Sequence, residues 1–271
     1  MNDKKLLFHI AYYMNPNERL DNKNGIDKSS KEFTNHVLNG VERFLDEINQ
    51  YKGFSKKDII LDVNVDNSDV TKIDTTKFKS LNIKIVFHEF KTEHPFKLTT
   101  KHRIYMKDNI QNYDWFGYSE DDTIIFKESI EFLVNNSIDL FTKEKRVYTI
   151  PRLVYDLKNN FFYSDIIKPS KLTKGSITNP TNRFGACWFY PKIIMNEWIN
   201  SESFLNFNYP NKNGGIRVQM GIGFKKYEAI IPIDERTKEP LIKCVHLGYC
   251  GKYYFPHPSG YHKLPINKIC N

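Results

Sequence analysis

Three consecutive acids, Glu120, Asp121 and Asp122, close the apolar run YDWFGYS and precede TIIF. Like charges side by side repel, and each carboxylate gives up solvation at the edge of a core, so the triplet calls for a counter-charge. Three arrangements supply one: a solvated turn whose acids cap the following helix, pairing with Lys or Arg, or a divalent cation. The apolar residues on both sides argue against a plain exposed turn. A hard cation such as Mg2+ or Mn2+ is typically held by one or two carboxylates together with substrate phosphates and water. Side chains alternate along a strand, so Glu120 and Asp122 face one way if strand geometry persists. Asp121 then faces the other way, toward a ribose or sugar hydroxyl. That is the pattern of a metal–diphosphate site.

The elements that must position these acids read as strands alternating with helices. KKLLFHIAYYM is a short apolar run that reads as a first strand. Phe33, Val37, Leu38, Val41, Phe44, Leu45 and Ile48 recur at three- and four-residue steps and predict a helix, with Ser29 or Ser30 able to cap its start. DIILDVNV and NIKIVFHEF read as the second and third strands, with a short helix or turn around Phe78 and Leu81 between them. A helix over roughly 99–112 leads into YDWFGYS as the fourth strand, and Ile130, Phe132, Leu133, Val134 and Ile138 begin another helix. This alternation predicts an α/β fold with a mixed, mainly parallel sheet flanked by helices, where ligands collect at the carboxyl ends of the strands. The acids stand at such an end. The later chain predicts a strand at RVYTIPRLVYDL, a long polar stretch to about residue 182, a strand at FGACWFYPK and a helix at IIMNEWINSESFLNF. No linker separates two domains, so a single domain over 1–271 is expected.

Composition narrows the partners. The formal net charge is +8, but the lysines are scattered and no basic stripe marks a nucleic-acid surface. The run from Leu6 to Met14 is too short to span a bilayer, and a soluble, cytoplasmic protein with at most peripheral membrane contact is expected. Cys187, Cys244, Cys250 and Cys270 form no CxxC pair and are expected as free thiols in a reducing compartment. Cys244, His246 and Cys250 lack a fourth ligand at the spacing of a structural zinc site.

YDWFGYSEDDTIIF resembles the acidic metal-binding motif of GT-A glycosyltransferases, the DxD type, in a Glu-Asp-Asp variant. HPFKLTTKHR upstream and VHLGYCGKYY downstream resemble the same group, and the likeness in element order runs over about residues 5–255. The resemblance implies a GT-A-like, Rossmann-type fold and a metal-dependent glycosyltransferase. Such an enzyme moves a sugar from a nucleotide-diphosphate sugar, a UDP-sugar for preference, to a glycan or other hydroxyl acceptor with Mn2+ or Mg2+. It makes Asp122 the direct metal ligand. Glu120 and Asp121 assist through water or through the donor's ribose and sugar. His246 is the late histidine on the metal or a phosphate oxygen, the competing reading being a core histidine.

By the same resemblance, the end of the first strand contacts the base. Ala11, Tyr12 and Tyr13 are the candidates there, and either tyrosine could stack on a uracil-like ring. Asp66 could accept a base N–H, with Asp62 and Asp69 as rivals. Lys101, His102 and Arg103 precede the acidic strand, and Arg103 could donate two hydrogen bonds to a phosphate. On the acceptor side, one aromatic among Trp188, Phe189, Tyr190 and Trp198 is expected as a sugar platform, with Trp188 named. About 1–150 would bind the nucleotide sugar and about 151–271 the acceptor. Glu228, Asp234 and Glu235 lie where a catalytic base would be needed, and none sits in a motif that singles it out. A metal-dependent phosphohydrolase or nucleotidyltransferase, or an inactive carbohydrate-binding protein of the same fold, are the alternatives.

Overall fold

A computed structural model describes residues 3–12, 31–65, 83–89, 98–121, 123–155, 161–163, 172–173, 175–178, 187–201, 204, 227–237 and 239–246. Four parallel strands form the centre: β1 (Lys5–Tyr12), β2 (Lys56–Val65), β3 (Lys84–Glu89) and β4 (Trp115–Glu120). After β5 (Thr123–Ile125), β6 (Arg146–Tyr148), β7 (Arg152–Tyr155), β8 (Phe161–Tyr163), β9 (Leu172–Thr173) and β10 (Ser176–Thr178) comes β11 (Cys187–Pro191), which joins β4 antiparallel. The central sheet therefore runs β11-β4-β1-β2-β3. This is the mixed, mainly parallel sheet that the alternating pattern predicts.

A parallel sheet is covered on both faces, and the alternation along β1 shows how. Leu6, Phe8, Ile10 and Tyr12 pack in one core with Val41, Phe44, Leu45 and Ile48 of α1 (Lys31–Gln50). Ile130, Leu133 and Val134 of a later helix join that core. Leu7 and Ala11 belong to the opposite core, with Phe116, Tyr118, Trp188 and Tyr190. That face is closed by Leu98 and Met106 of α2 (Leu98–Asp108). The later helix is α3 (Lys127–Glu144), and Ile194, Met195 and Trp198 of α4 (Lys192–Ile199) complete the second face.

Two expectations shift. RVYTIPRLVYDL is two strands in two sheets. β6 pairs in parallel with β12 (Glu228–Pro232), while β7 pairs in parallel with β13 (Cys244–His246). The change of sheet falls at Pro151, whose nitrogen has no hydrogen to give a ladder; its carbonyl instead accepts from Cys244 N–H at 3.1 Å. The helix at IIMNEWINSESFLNF ends at Ile199, because the backbone N–H and hydroxyl of Ser201 both donate to the Trp198 carbonyl, at 2.9 and 2.6 Å. The stretch expected as polar loop holds β8, β9 and β10. The helix or turn around Phe78 and Leu81 and the caps Ser29 and Ser30 lie outside the described residues. Among the described residues, no helix is long and apolar enough to cross a membrane.

Candidate functional site

The chain builds β1, β2 and β3 outward in one direction, then returns to place β4 on the other side of β1. The carboxyl ends of β1 and β4 thus flank the point where strand order reverses, the crevice in which open α/β sheets bind ligands. Glu120 ends β4 there, half-buried and in register with Ala11. The Asp121 N–H donates to the Ala11 carbonyl at 3.1 Å, so the parallel ladder continues one residue into the acid triplet. Asp121 is buried. Asp122 lies outside the described residues.

Beyond the triplet the backbone enters β5, which pairs antiparallel with β13 in the order β5-β13-β7-β8. The register sets His246 opposite Thr123, the residue that follows Asp122. Directly opposed residues of such a pair have Cα atoms about 5 Å apart. The backbone of the late histidine is therefore beside the acid turn, although 123 and 246 are far apart in sequence. At His246 the description stops at the backbone.

A second polar group lies on the same side of the sheet. Val86, Asp62, Ala11 and Glu120 form one row across β3, β2, β1 and β4. Ala11 stands between the two carboxylates in that row, whose strands are about 10 Å apart. Asp62 is buried and accepts from His9 Nδ1 at 2.7 Å and from His88 Nε2 at 2.8 Å. Burial pushes its carboxyl up, but the charges of the two histidines and their hydrogen bonds outweigh that and hold it well below the usual range. With Nδ1 donating to Asp62, the other ring nitrogen of His9 is Nε2. That atom is buried with no hydrogen-bond partner among the described residues.

His102 of α2 lies 5.9 Å from His9, ring centre to ring centre, and stacks on Tyr118 at 4.3 Å. Its pKa falls well below the ordinary value, first through burial and then through His9 and Arg103, so the ring stays neutral. The Tyr118 hydroxyl is pushed well up by burial and then by Glu120, Asp62 and Asp121, and it remains a donor. A file of polar side chains thus runs from the half-buried His88 through the buried Asp62, His9, His102 and Tyr118 toward the acid end of β4. Of its members only Asp62 and His102 stood among the sequence candidates. The available signal was parity: a histidine inside the apolar run of β1 and an aspartate inside β2.

Several expected contacts are placed elsewhere. Arg103 is buried, donates to the Phe204 carbonyl at 3.0 Å and lies 4.8 Å over the Trp198 ring. A guanidinium this well covered by aromatic rings and a carbonyl is a core cation. Trp188 is no exposed sugar platform. It is 1% exposed, stacked on Tyr190 at 5.3 Å and set edge-on to Trp198 at 5.2 Å. Tyr12 is packed on the α1 side of the sheet, in the core. Ala11 stays at the crevice as the middle of the row described above, and Lys101 is half-buried on α2. Tyr13 and Asp66 lie outside the described residues. Glu228 pairs with Arg146 Nε at 2.6 Å, and Asp234 accepts from the backbone N–H groups of Arg236 and Thr237 at 2.8 Å each. Both have structural work.

Among the described residues, no group of three or more His, Cys, Asp or Glu side chains is placed to hold a metal ion. The carboxylates at the end of β4 are nonetheless hard oxygen donors suited to Mg2+ or Mn2+, and Asp122 would add a third.

No family model and no curated protein matches the chain. A solved structure, described as the inositol-1-phosphate CTP transferase from T. maritima, is similar over 96% of this chain and 94% of its own, at 10% identity and a TM-score of 0.44.

Proposed function

We propose that this chain is a metal-dependent transferase that binds a nucleotide diphosphate in the crevice between the carboxyl ends of β1 and β4, and that it moves a sugar from a nucleotide-diphosphate sugar to a hydroxyl acceptor. One observation carries the reading. The acids of β4 stand at the strand-order reversal, and the strand bearing His246 is paired to the segment that follows them. An accidental surface cluster of acids has no reason to recruit a strand from the far end of the chain.

In this reading Glu120 and Asp122 hold Mn2+ or Mg2+ and Asp121 takes a ribose or sugar hydroxyl. When bound, the cation supplies Lewis-acid stabilisation of the departing diphosphate. The small side chain of Ala11 leaves room on the floor of the crevice for the nucleotide. Tyr13 and Asp66 are placed by sequence near the base, and Lys101 of α2 is the candidate cation for a phosphate. His246 reaches back to the metal or a phosphate oxygen. The part before about residue 150 binds the donor, and the later part binds a glycan or other hydroxyl acceptor. UDP is the favoured nucleotide.

Nucleotidyl transfer is the second reading, because the same carboxylates at the same reversal point would serve a nucleoside triphosphate equally well. The products separate the two. Incubation with Mn2+ and a panel of UDP- and GDP-sugars, with nucleoside triphosphates in parallel, is followed by assays for nucleoside diphosphate and for pyrophosphate. Metal-dependent release of UDP or GDP from a sugar donor supports glycosyl transfer. Pyrophosphate from a triphosphate with a sugar phosphate present establishes nucleotidyl transfer instead. Failure of any nucleotide to raise the melting temperature with Mn2+ removes both.

A further inference from the structure

Cys187 and Cys244 are both buried, and their sulfurs are 3.2 Å apart. They come from different sheets. Cys187 opens β11 in register with Ser119, the residue before the acid triplet. Cys244 opens β13 in register with Ile125, three residues after it. The two thiols therefore touch beneath the segment that carries Glu120, Asp121 and Asp122, each on a strand paired to one end of that segment. A disulfide needs sulfurs about 2.05 Å apart, so closing the contact takes a movement of about 1 Å. Both cysteines sit in the apolar core that holds Ile125, Phe189 and Ile242.

We propose that Cys187 and Cys244 are an oxidative modification site, forming a disulfide by exchange with a small-molecule disulfide such as glutathione disulfide and so clamping both flanks of the acid triplet. The exchange breaks the oxidant's S–S bond and the two cysteine S–H bonds. One S–S bond forms between Cys187 and Cys244, and two glutathione thiols leave with the two protons. The protein loses two electrons and the oxidant gains them. The core covers both sulfurs, so the exchange is slow in the native state and quicker when β13 lifts from β7 and β5. The proposal stands independently of the transferase reading.

The test uses the full chain held in glutathione redox buffer, in one arm natively and in a second refolded from urea in the same buffer. Free thiols are alkylated and the unreduced digest is mapped by mass spectrometry. The expected result is a peptide linking 187 to 244 and a melting temperature several degrees above that of the reduced chain, because the link closes a loop of 57 residues. Amides of 123–125 and 244–246 should exchange more slowly after oxidation. C187S and C244S should each abolish the linked peptide and the rise in melting temperature. Absence of the 187–244 peptide in both arms, or links confined to Cys250 and Cys270, overturns the proposal. A 187–244 link that leaves exchange at 123–125 unchanged overturns the clamping of the acid segment.

Discussion

Asp62 accepts from two histidines at once, and that sets what its removal does. Asp62→Asn replaces one accepting oxygen by a donor that faces an imidazole N–H, which costs about 3 kcal/mol in urea unfolding at neutral pH. The folded carboxyl lies below its ordinary 3.8, so its contribution is complete above that pH and is lost as pH falls below it. The gap between wild type and Asp62→Asn should therefore close in the acid range. A gap that stays constant down to pH 2 would show that the charge is not what matters. His102 acts in the same direction at higher pH. Its unfolded form takes up a proton below about 6.5 while the buried ring does not, so the folded state loses stability as pH falls from there. His102→Phe should flatten that part of the curve. At the acid end of β4, Glu120→Gln and Asp122→Asn should each remove Mn2+-dependent nucleotide binding and leave the melting temperature unchanged or higher, since each relieves repulsion within the triplet. Calorimetry that finds the metal-dependent affinity intact in both variants would end the metal assignment.

At the scale of elements, β4 depends on the absence of a side chain in its middle. A Cβ on Gly117 would collide with Phe8 Cδ2 and Cε2 and lie 2.9 Å from Phe189 Cδ2. Phe8 cannot retreat, because Phe44 of α1 packs on it with ring centres 4.5 Å apart. Gly117→Ala should cost about 2–3 kcal/mol through overpacking, and adding Phe8→Leu should return part of it. Equal stability of wild type and Gly117→Ala in urea would refute this packing. The same strand shows what sequence could and could not tell. β1 to β4 and α1 to α3 follow from apolar runs and three- and four-residue steps, because their cores form between neighbours in the chain. The split of RVYTIPRLVYDL did not follow, because β6 and β7 take different partners, β12 and β13, more than 75 residues downstream. The burial of Arg103 and Trp188 did not follow, for a related reason. A helix period says which residues share a face, but not that Phe204 and Trp198 will arrive to cover one of them.

At the scale of the molecule, the acid triplet was legible as a strand end, and β4 does end at Glu120, beside the sheet's reversal point. The row Asp62–Ala11–Glu120 was not legible, because register between strands is fixed by tertiary pairing. If the early part binds nucleotide and His246 bridges back to it, UDP with Mn2+ should slow amide exchange at 8–12, 115–125 and 244–246 together. Protection confined to residues after 150 would reverse the division of labour. The pairing of β5 with β13 also orders events during synthesis. β1 to β4 and their helices exist once residue 144 has been made, but the partner that fixes the backbone just after the acids is still about 100 residues from assembly. At about 5–20 residues per second that is roughly 5–20 s. Through that interval a nascent chain carries the acids without the strand that completes their surroundings.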